Sequence, residues 1–567
     1  MEALECSFSK NKDDADPCKY AADYIVIGVG TTGPQIIRAL ADDNQSVVAF
    51  ERGFNHTGDP LVEGGLEIIF PPTGNATVLT YDARYSVTKL IPDELNARRL
   101  NQIILAEEFT TGVGGGGSSA HNYLLAVRGT PGFWDRVGQE TGRPDLWSYF
   151  PNLERIKSVE TYTGLSQKPQ ERGNRGKIFV TQLGGDILAS PQAPIAQGLT
   201  SVTGAPILLD YNVSGTDVVI SSNQFTIFPP AGGRSYSINA YLPPSIMKFN
   251  GDSVNVAKHP FKVFFETNVV RILFEGRRAI GVIYKQKNGE QRIALARKKV
   301  ILCAGCPWSA QILQLSGIGN ENLLRNLKIQ TILNNPNVGR NLQTQYGVTV
   351  AITGLLPGSG FTAFTGGSSY FPDQGRRLQW VVAPFSGLSP ALLALLTPQG
   401  PFFGATIWNM KPRSFGSAFI VENSPFILPN ILYNLYSDGD QNDPLSDLSA
   451  SIAAYKIGRD WAHAIGQTMI WPPESHFIPG DDSRLALDAL SQVKDATTSH
   501  FVNTVAAGPS PSDSVVNGKL KVHGIKDLLV IDNSIFKTIP DANTVIPAYI
   551  VGAVGAKILR SKIPQNK

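Results

Sequence analysis

Two glycine-rich stretches and two isolated polar side chains carry most of the chemistry this sequence could perform. The first stretch is Gly28-Val29-Gly30-Thr31-Thr32-Gly33, entered from the short β-branched run Tyr24 to Ile27. Gly28 permits a tight turn, Gly30 lets a pyrophosphate approach bare backbone, and Gly33 lets the next helix close onto the strand. The N–H groups of Thr31, Thr32 and Gly33 open that helix and point at the phosphates. Glu51 follows the glycines by about 20 residues, where a carboxylate accepts from the ribose hydroxyls. The combination indicates an adenine dinucleotide. The second stretch, Gly112 to Gly117 with Ser118, Ser119, His121, Asn122 and Tyr123, brings backbone very close to something flat or anionic.

Simple elements position these residues. Ile36, Ile37 and Leu40 fall at helical spacing, and Ser46 to Phe50 supplies a second strand. Further on, Val263 to Thr267, Val269 to Phe274, Ala279 to Lys285 and Arg292 to Arg297 read as strands, with Asn288-Gly289 as a hairpin turn. A chain of 567 residues exceeds one core, so at least two domains are expected. Fifty basic residues against 47 acidic ones give a net charge of +3, which argues against a nucleic-acid partner. No uncharged run of about 18 residues is present to span a bilayer, and no signal peptide opens the chain. Cys303 and Cys306 have CxxC spacing without a second pair, so they read as packed thiols and no metal site is expected. Sequons at Asn55, Asn75 and Asn212 do not fix a compartment, and extracellular and virion-associated settings are both open.

Four motifs make a resemblance specific. They are GVGTTG at Gly28 to Gly33, GGSSAHNY at Gly116 to Tyr123, ILCAGCPWS at Ile301 to Ser309, and NPNVGRNL at Asn335 to Leu342. In this order, and over almost the whole chain from Asp23 to Leu559, the sequence resembles the glucose-methanol-choline family of FAD oxidoreductases, nearest its aryl-alcohol oxidase branch. The resemblance implies an α/β fold: a Rossmann-like FAD-binding domain and a substrate domain built on an antiparallel sheet with helices. The domains are then an arm at 1–20, an FAD-binding domain of 21–155, 225–342 and 500–567, and a substrate domain of 156–224 and 343–499.

The same resemblance assigns roles. His500, in Ser499-His500-Phe501, and Asn543, in Asp541-Ala542-Asn543-Thr544, would face the flavin N5. A base must take the hydroxyl proton as a hydride leaves an alcohol carbon, which His500 can do, while Asn543 donates to the same oxygen. Gly117, Ser118, His121, Asn122, Val269, Asp532, Asn543 and Thr544 would join the first glycine motif and Glu51 in holding FAD, with Val269 at the adenine. Asp532 reads either as a cofactor contact or as an ordinary cap, and His121 either as a covalent FAD attachment point or as a free histidine packed on the ring. Implied partners are an alcohol, aromatic or otherwise apolar, and dioxygen or another electron acceptor, with self-association open. Eleven aromatics between Phe361 and Phe419 are core of the second sheet, and two or three of them would line the substrate cavity.

Some positions depart from the family pattern. Val113 and Gly115 stand where a basic residue and a leucine are usual, Thr344-Gln345 replaces Asp-His, and Asn503 replaces a glycine. A side chain at 503 is expected to re-aim His500 or narrow its pocket. Two other classes therefore stay open: a lyase cleaving hydroxynitriles with an oxidised flavin, and a structural member such as those coating giant-virus surface fibres.

Overall fold

The computed structural model describes residues 18–65, 86–93, 105–230, 232–248, 254–255, 260–355, 362–367, 377–383, 396–397, 400–492 and 498–561. Most of the region between Phe54 and Thr111 that reads as a surface excursion lies outside these residues, as do Phe361, Tyr370, Phe371 and Phe385.

The first glycine motif sits at the end of a parallel strand in the middle of a seven-stranded sheet. Cys18–Ile27 is flanked in parallel by Val47–Phe50 and by the long strand Gln291–Leu302, with Phe261–Phe264 outside Val47–Phe50. The N-terminal half of Gln291–Leu302 pairs antiparallel with Arg278–Lys285, which pairs with Asn268–Glu275. Its C-terminal end pairs parallel with Leu528–Val530. The strands expected from Val269 onward are thus present, the one expected at Val263 to Thr267 runs instead from Phe261 to Phe264, and the 292–297 stretch and the apolar run at 299–302 are one strand. Cys18 to Tyr20, read as part of an arm, belong to the first strand, paired with Ile293 and Ala294. Tyr20 has a reason to be ordered: its ring packs on Phe264 at 4.9 Å.

Helix Gly33–Asp42 buries Ile36, Ile37 and Leu40 and packs on the C-terminal helix Val545–Arg560. Their approach is close enough that a Cβ on Gly552 would lie 2.2 Å from the Gln35 side chain. Arg560 closes the pair with two 2.7 Å bonds to Asp43.

The second core is a six-stranded antiparallel sheet in the order Met469–Trp471, Tyr346–Thr353, Phe402–Asn409, Arg377–Ala383, Thr362–Gly367, Val219–Ser222. Helices Ala193–Thr203, Asp447–Ala464 and Ser483–Ser491 pack together against one face. Side chains alternate between faces along a strand. Leu378, Trp380 and Val382, with Phe403, Ala405 and Ile407, join the core under the helices, where Trp380 and Phe403 meet Trp461 edge-on at 5.8 and 6.0 Å. Gln379, Val381 and Trp408 therefore point to the opposite face. Among the described residues no helix is long and apolar enough to cross a membrane.

A buried ionic network welds the segment after the second glycine stretch to the chain between 160 and 224. Glu160 accepts from Arg128, from Arg172 Nε at 2.8 Å and Nη2 at 3.1 Å, and from the Gly173 N–H at 3.1 Å. Arg172 also donates to Asp210 at 2.9 Å, and Asn212 Oδ1 accepts from the Arg128 N–H at 2.7 Å. Asn212 is itself buried, so its sequon is closed to a glycan in the folded chain.

Candidate active site

The two glycine stretches meet. Gly116 N–H donates to the Val29 carbonyl at 2.9 Å, and a Cβ on Gly117, whose φ is +50°, would lie 2.8 Å from Gly30 Cα. Glu51 ties the loops together, its carboxylate accepting from Val29 N–H at 3.0 Å, Gly53 N–H at 3.0 Å and Gly114 N–H at 3.2 Å. A carboxylate offers about four acceptor positions. Three of them are filled within the protein.

Gly33 and Gly30 are glycines for different reasons. A Cβ on Gly33 would sit 2.1 Å from the Gly28 carbonyl oxygen, so helix packing alone demands its absence. At Gly30 the nearest atom to an added Cβ is 3.7 Å away, and nothing in the polypeptide needs that space. Ser118 Oγ accepts from Gly112 N–H at 3.3 Å, and Asn122 Oδ1 accepts from Arg234 at 2.7 Å. Arg234 is fully buried beneath this loop, where burial pulls its pKa down to about 9. His121 lies beside it. Burial first, then the nearby Arg234 and His56, push its pKa down to about 4, and its enclosed Nε2 has no hydrogen-bond partner.

The segment after Leu528–Val530 links this cradle to the C-terminal motifs. Thr32 Oγ1 donates to the Ile531 carbonyl at 2.6 Å, and Asn533 Nδ2 donates to the Thr544 carbonyl at 3.0 Å. The starts of the Gly33–Asp42 and Val545–Arg560 helices are therefore both tied to residues 531–533. Val269 is buried in the strand Asn268–Glu275. Asp532 caps the short turn Asn533–Ile535 that follows its strand. Its carboxylate accepts from Ser534 N–H at 2.9 Å, Ser534 Oγ at 2.5 Å, Gly305 N–H at 3.0 Å and Ser309 Oγ at 2.6 Å, which fills it as a cap. Cys303 and Cys306 are free, buried thiols whose pKa values burial raises, Cys306 to about 12.

His500 and Asn543 come together through side chains that sequence reading did not assign. His500 Nδ1 bonds Gln345 Oε1 at 2.6 Å, and the His500 N–H donates to Thr344 Oγ1 at 3.1 Å. Gln345 Nε2 donates to the carbonyls of Pro540 at 2.6 Å and Ala542 at 3.3 Å, in the turn that presents Asn543. One glutamine therefore spans the two motifs. Asn543 Oδ1 accepts from Gln379 Nε2 at 2.8 Å, which leaves its Nδ2 as the outward donor. Asp541 braces the same turn, accepting from Thr130 N–H at 2.9 Å and Thr130 Oγ1 at 2.6 Å.

Burial pushes the His500 pKa down to about 3. Part of the residue stays exposed, and a neutral resting imidazole follows either way. Asn503 adopts φ +76°, a left-handed conformation that asparagine tolerates. Its Nδ2 donates to the Lys537 carbonyl at 2.8 Å.

GMC oxidoreductase profiles match residues 219–347 and 412–552. The chain is 25% identical to the oxygen-dependent choline dehydrogenase of Staphylococcus saprophyticus, over 96% of each chain. It is 26% identical to the pyranose dehydrogenase of Agaricus campestris, over 93% of this chain and 91% of that one. The fold superposes on pyridoxine 4-oxidase from Mesorbium loti with a TM-score of 0.75 at 17% identity, over 95% and 99% of the two chains. The chain belongs to the GMC oxidoreductase family.

Membership implies FAD, and the residues of this GMC oxidoreductase fit it. The glycine at 30, which no close contact within the protein requires, the enclosed His121 Nε2 and the enclosed Arg52 Nη2, without a hydrogen-bond partner and next to Glu51, are each left unexplained by the polypeptide alone. Gly30→Ala tests this fit. The added methyl meets only ordinary contact within the protein, so the apoprotein is expected to keep its melting temperature. It intrudes on the phosphates at a cost of about 1–3 kcal/mol, and FAD affinity by titration falls about tenfold to hundredfold. Unchanged affinity would place the dinucleotide elsewhere.

Proposed function

We propose that this GMC oxidoreductase oxidises an alcohol, aromatic or otherwise apolar, to the corresponding carbonyl compound, with dioxygen as acceptor and hydrogen peroxide as product. The supporting observation is the Gln345 side chain, which holds the His500 ring and the Asn543 turn at its two ends. Bound FAD supplies a hydride acceptor. Its holders are Gly28, Gly30, Thr31, Thr32 and Gly33 at the phosphates, Glu51 at the ribose, Val269 at the adenine, and Gly117, Ser118, His121, Asn122, Asn543 and Thr544 along the remainder.

His500 takes the hydroxyl proton of the substrate on its ring as the carbon gives up hydride, so the two electrons leave with the hydrogen and the proton stays on imidazole. A neutral resting imidazole is the form able to do this. Asn543 Nδ2 donates to the same oxygen and fixes the C–H bond in place, a positioning contribution. Its orientation is set by Gln379, since an amide whose oxygen is occupied presents its N–H.

The inner face of the antiparallel sheet supports an aromatic or apolar substrate. Trp408 is paired in register with Gln379, on the same face as the side chain that holds Asn543. Trp380 and Phe403, by contrast, are committed to the core. Trp408→Ala is expected to raise KM for benzylic alcohols about tenfold while changing that for short aliphatic alcohols less than twofold, because it removes ring contact area but no polar contact. Equal effects on both classes would remove Trp408 from the substrate surface.

Mixing the FAD-loaded protein with an alcohol panel without oxygen tests the reading. Loss of the oxidised flavin band supports oxidation, whereas a flavin that stays oxidised while a hydroxynitrile is cleaved identifies a lyase. Acid precipitation decides the state of His121, since colour in the supernatant means that FAD is not covalently held.

A further inference from the structure

His500 has two ring nitrogens, and only one can face a substrate as a base. We propose that Gln345 is a positioning residue that fixes His500 with Nδ1 protonated and Nε2 bare, and holds that bare nitrogen in register with the Asn543 turn. The inference rests on the reading of His500 as the base and names the nitrogen that acts.

The Nε2 end of the glutamine meets the carbonyl oxygens of Pro540 at 2.6 Å, Ala542 at 3.3 Å and Met410 at 3.5 Å. Carbonyls only accept, so the end facing them must be the NH2 group, and the end facing His500 must be the oxygen. An amide oxygen cannot donate, so the 2.6 Å contact places the proton on Nδ1. In a neutral imidazole the lone pair is then on Nε2.

The backbone makes the arrangement stiff. The Gln345 carbonyl accepts from Thr498 N–H at 3.0 Å and Thr498 Oγ1 at 2.9 Å, and Thr344 holds the His500 N–H. Gln345 itself is fully buried. Both residues that replace the family's usual Asp-His thus clamp the loop that carries the histidine.

The choice of an amide also has an electrostatic consequence. A carboxylate in this place would stabilise imidazolium, whereas a neutral oxygen does not, and burial then keeps the ring uncharged. The charged groups on the neighbouring segments are engaged elsewhere: Lys411 faces Asp541 at 3.6 Å, and Arg413 donates to the Leu445 carbonyl at 3.1 Å.

The test is nitrogen NMR on protein labelled in histidine, with the His500 signals assigned by their loss in His500→Ala. Wild type is expected to show a bare Nε2 and a protonated Nδ1; a protonated Nε2 would overturn the proposal. Two variants extend the test to turnover. Gln345→Glu is expected to move the acid limb of the flavin-reduction profile up by at least one pH unit, because a negative neighbour raises the histidine pKa. Gln345→Met is expected to lower the reduction rate constant about tenfold to hundredfold with substrate KM changed less than threefold. Variants that lower the melting temperature but leave the pH limb in place would reduce Gln345 to a packing role. If His500→Ala still reduces flavin normally, the base reading fails, while the NMR result on the tautomer stands by itself.

Discussion

His500→Ala is expected to lower the rate of flavin reduction by alcohol about 10²–10⁴-fold while FAD stays bound. The size follows from the removal of a proton acceptor, since hydride departure from a carbon whose hydroxyl proton has nowhere to go is the slow reaction the site exists to avoid. FAD retention follows from geometry. His500 is bonded to Gln345 and Thr344, and neither belongs to the cradle formed by Gly28 to Gly33, Glu51 and Gly112 to Gly117. The measurement is single-turnover reduction at saturating alcohol, with bound flavin quantified from the same sample. A variant that has lost flavin as well would indicate a structural histidine. In wild type the depressed pKa, about 3, means that the reduction rate stays level through the neutral and mildly acidic range and falls only as pH drops through that value.

Glu160→Ala is expected to be the most damaging substitution away from both sites. It leaves Arg128 and Arg172 without their shared carboxylate, at side-chain exposures of 1% and 3%. Breaking a buried ion pair on one side costs about 3–5 kcal/mol, because the remaining charge is uncompensated. A fall in melting temperature of roughly 3–4 °C corresponds to that loss in a chain of 567 residues, read by calorimetry on the FAD-free protein. A shift under about 1 °C would mean that water reaches the network. Arg128 lies six residues after Asn122 on the same segment, so weakened FAD retention is expected alongside.

The nucleotide unit was legible in the sequence because its parts are local. Strand, glycines, helix, second strand and acid all fall within thirty residues, and each residue type has a backbone reason to be there. Glu51 was legible as a candidate ligand but not as the strut between two loops, because Gly114 lies 63 residues away. Asp532 shows the same limit. A carboxylate after a buried strand fits a cofactor contact or a cap, and its bonds to Gly305 and Ser309 join segments more than 220 residues apart in sequence.

The histidine and asparagine could be picked out only through the family resemblance, and the side chains that aim them could not be picked out at all. Gln345 did carry a signal, as a departure from pattern at a conserved-looking motif, yet its meaning depends on partners 155 and 195 residues away. The inner face of the antiparallel sheet was in principle readable. Leu378, Trp380 and Val382 alternate with Gln379 and Val381, but two-residue alternation does not say which face looks toward chemistry. The left-handed backbone of Asn503 and its bond to Lys537 are likewise invisible in a linear sequence.

The most direct test follows the flavin absorbance after oxygen-free mixing of FAD-loaded wild type, His500→Ala and Asn543→Ala with a benzylic alcohol. The expected result is bleaching within seconds in wild type, slowed by orders of magnitude without the imidazole and by a smaller factor without the carboxamide. Equal bleaching in all three proteins, or a flavin that no alcohol reduces in wild type, would contradict the account.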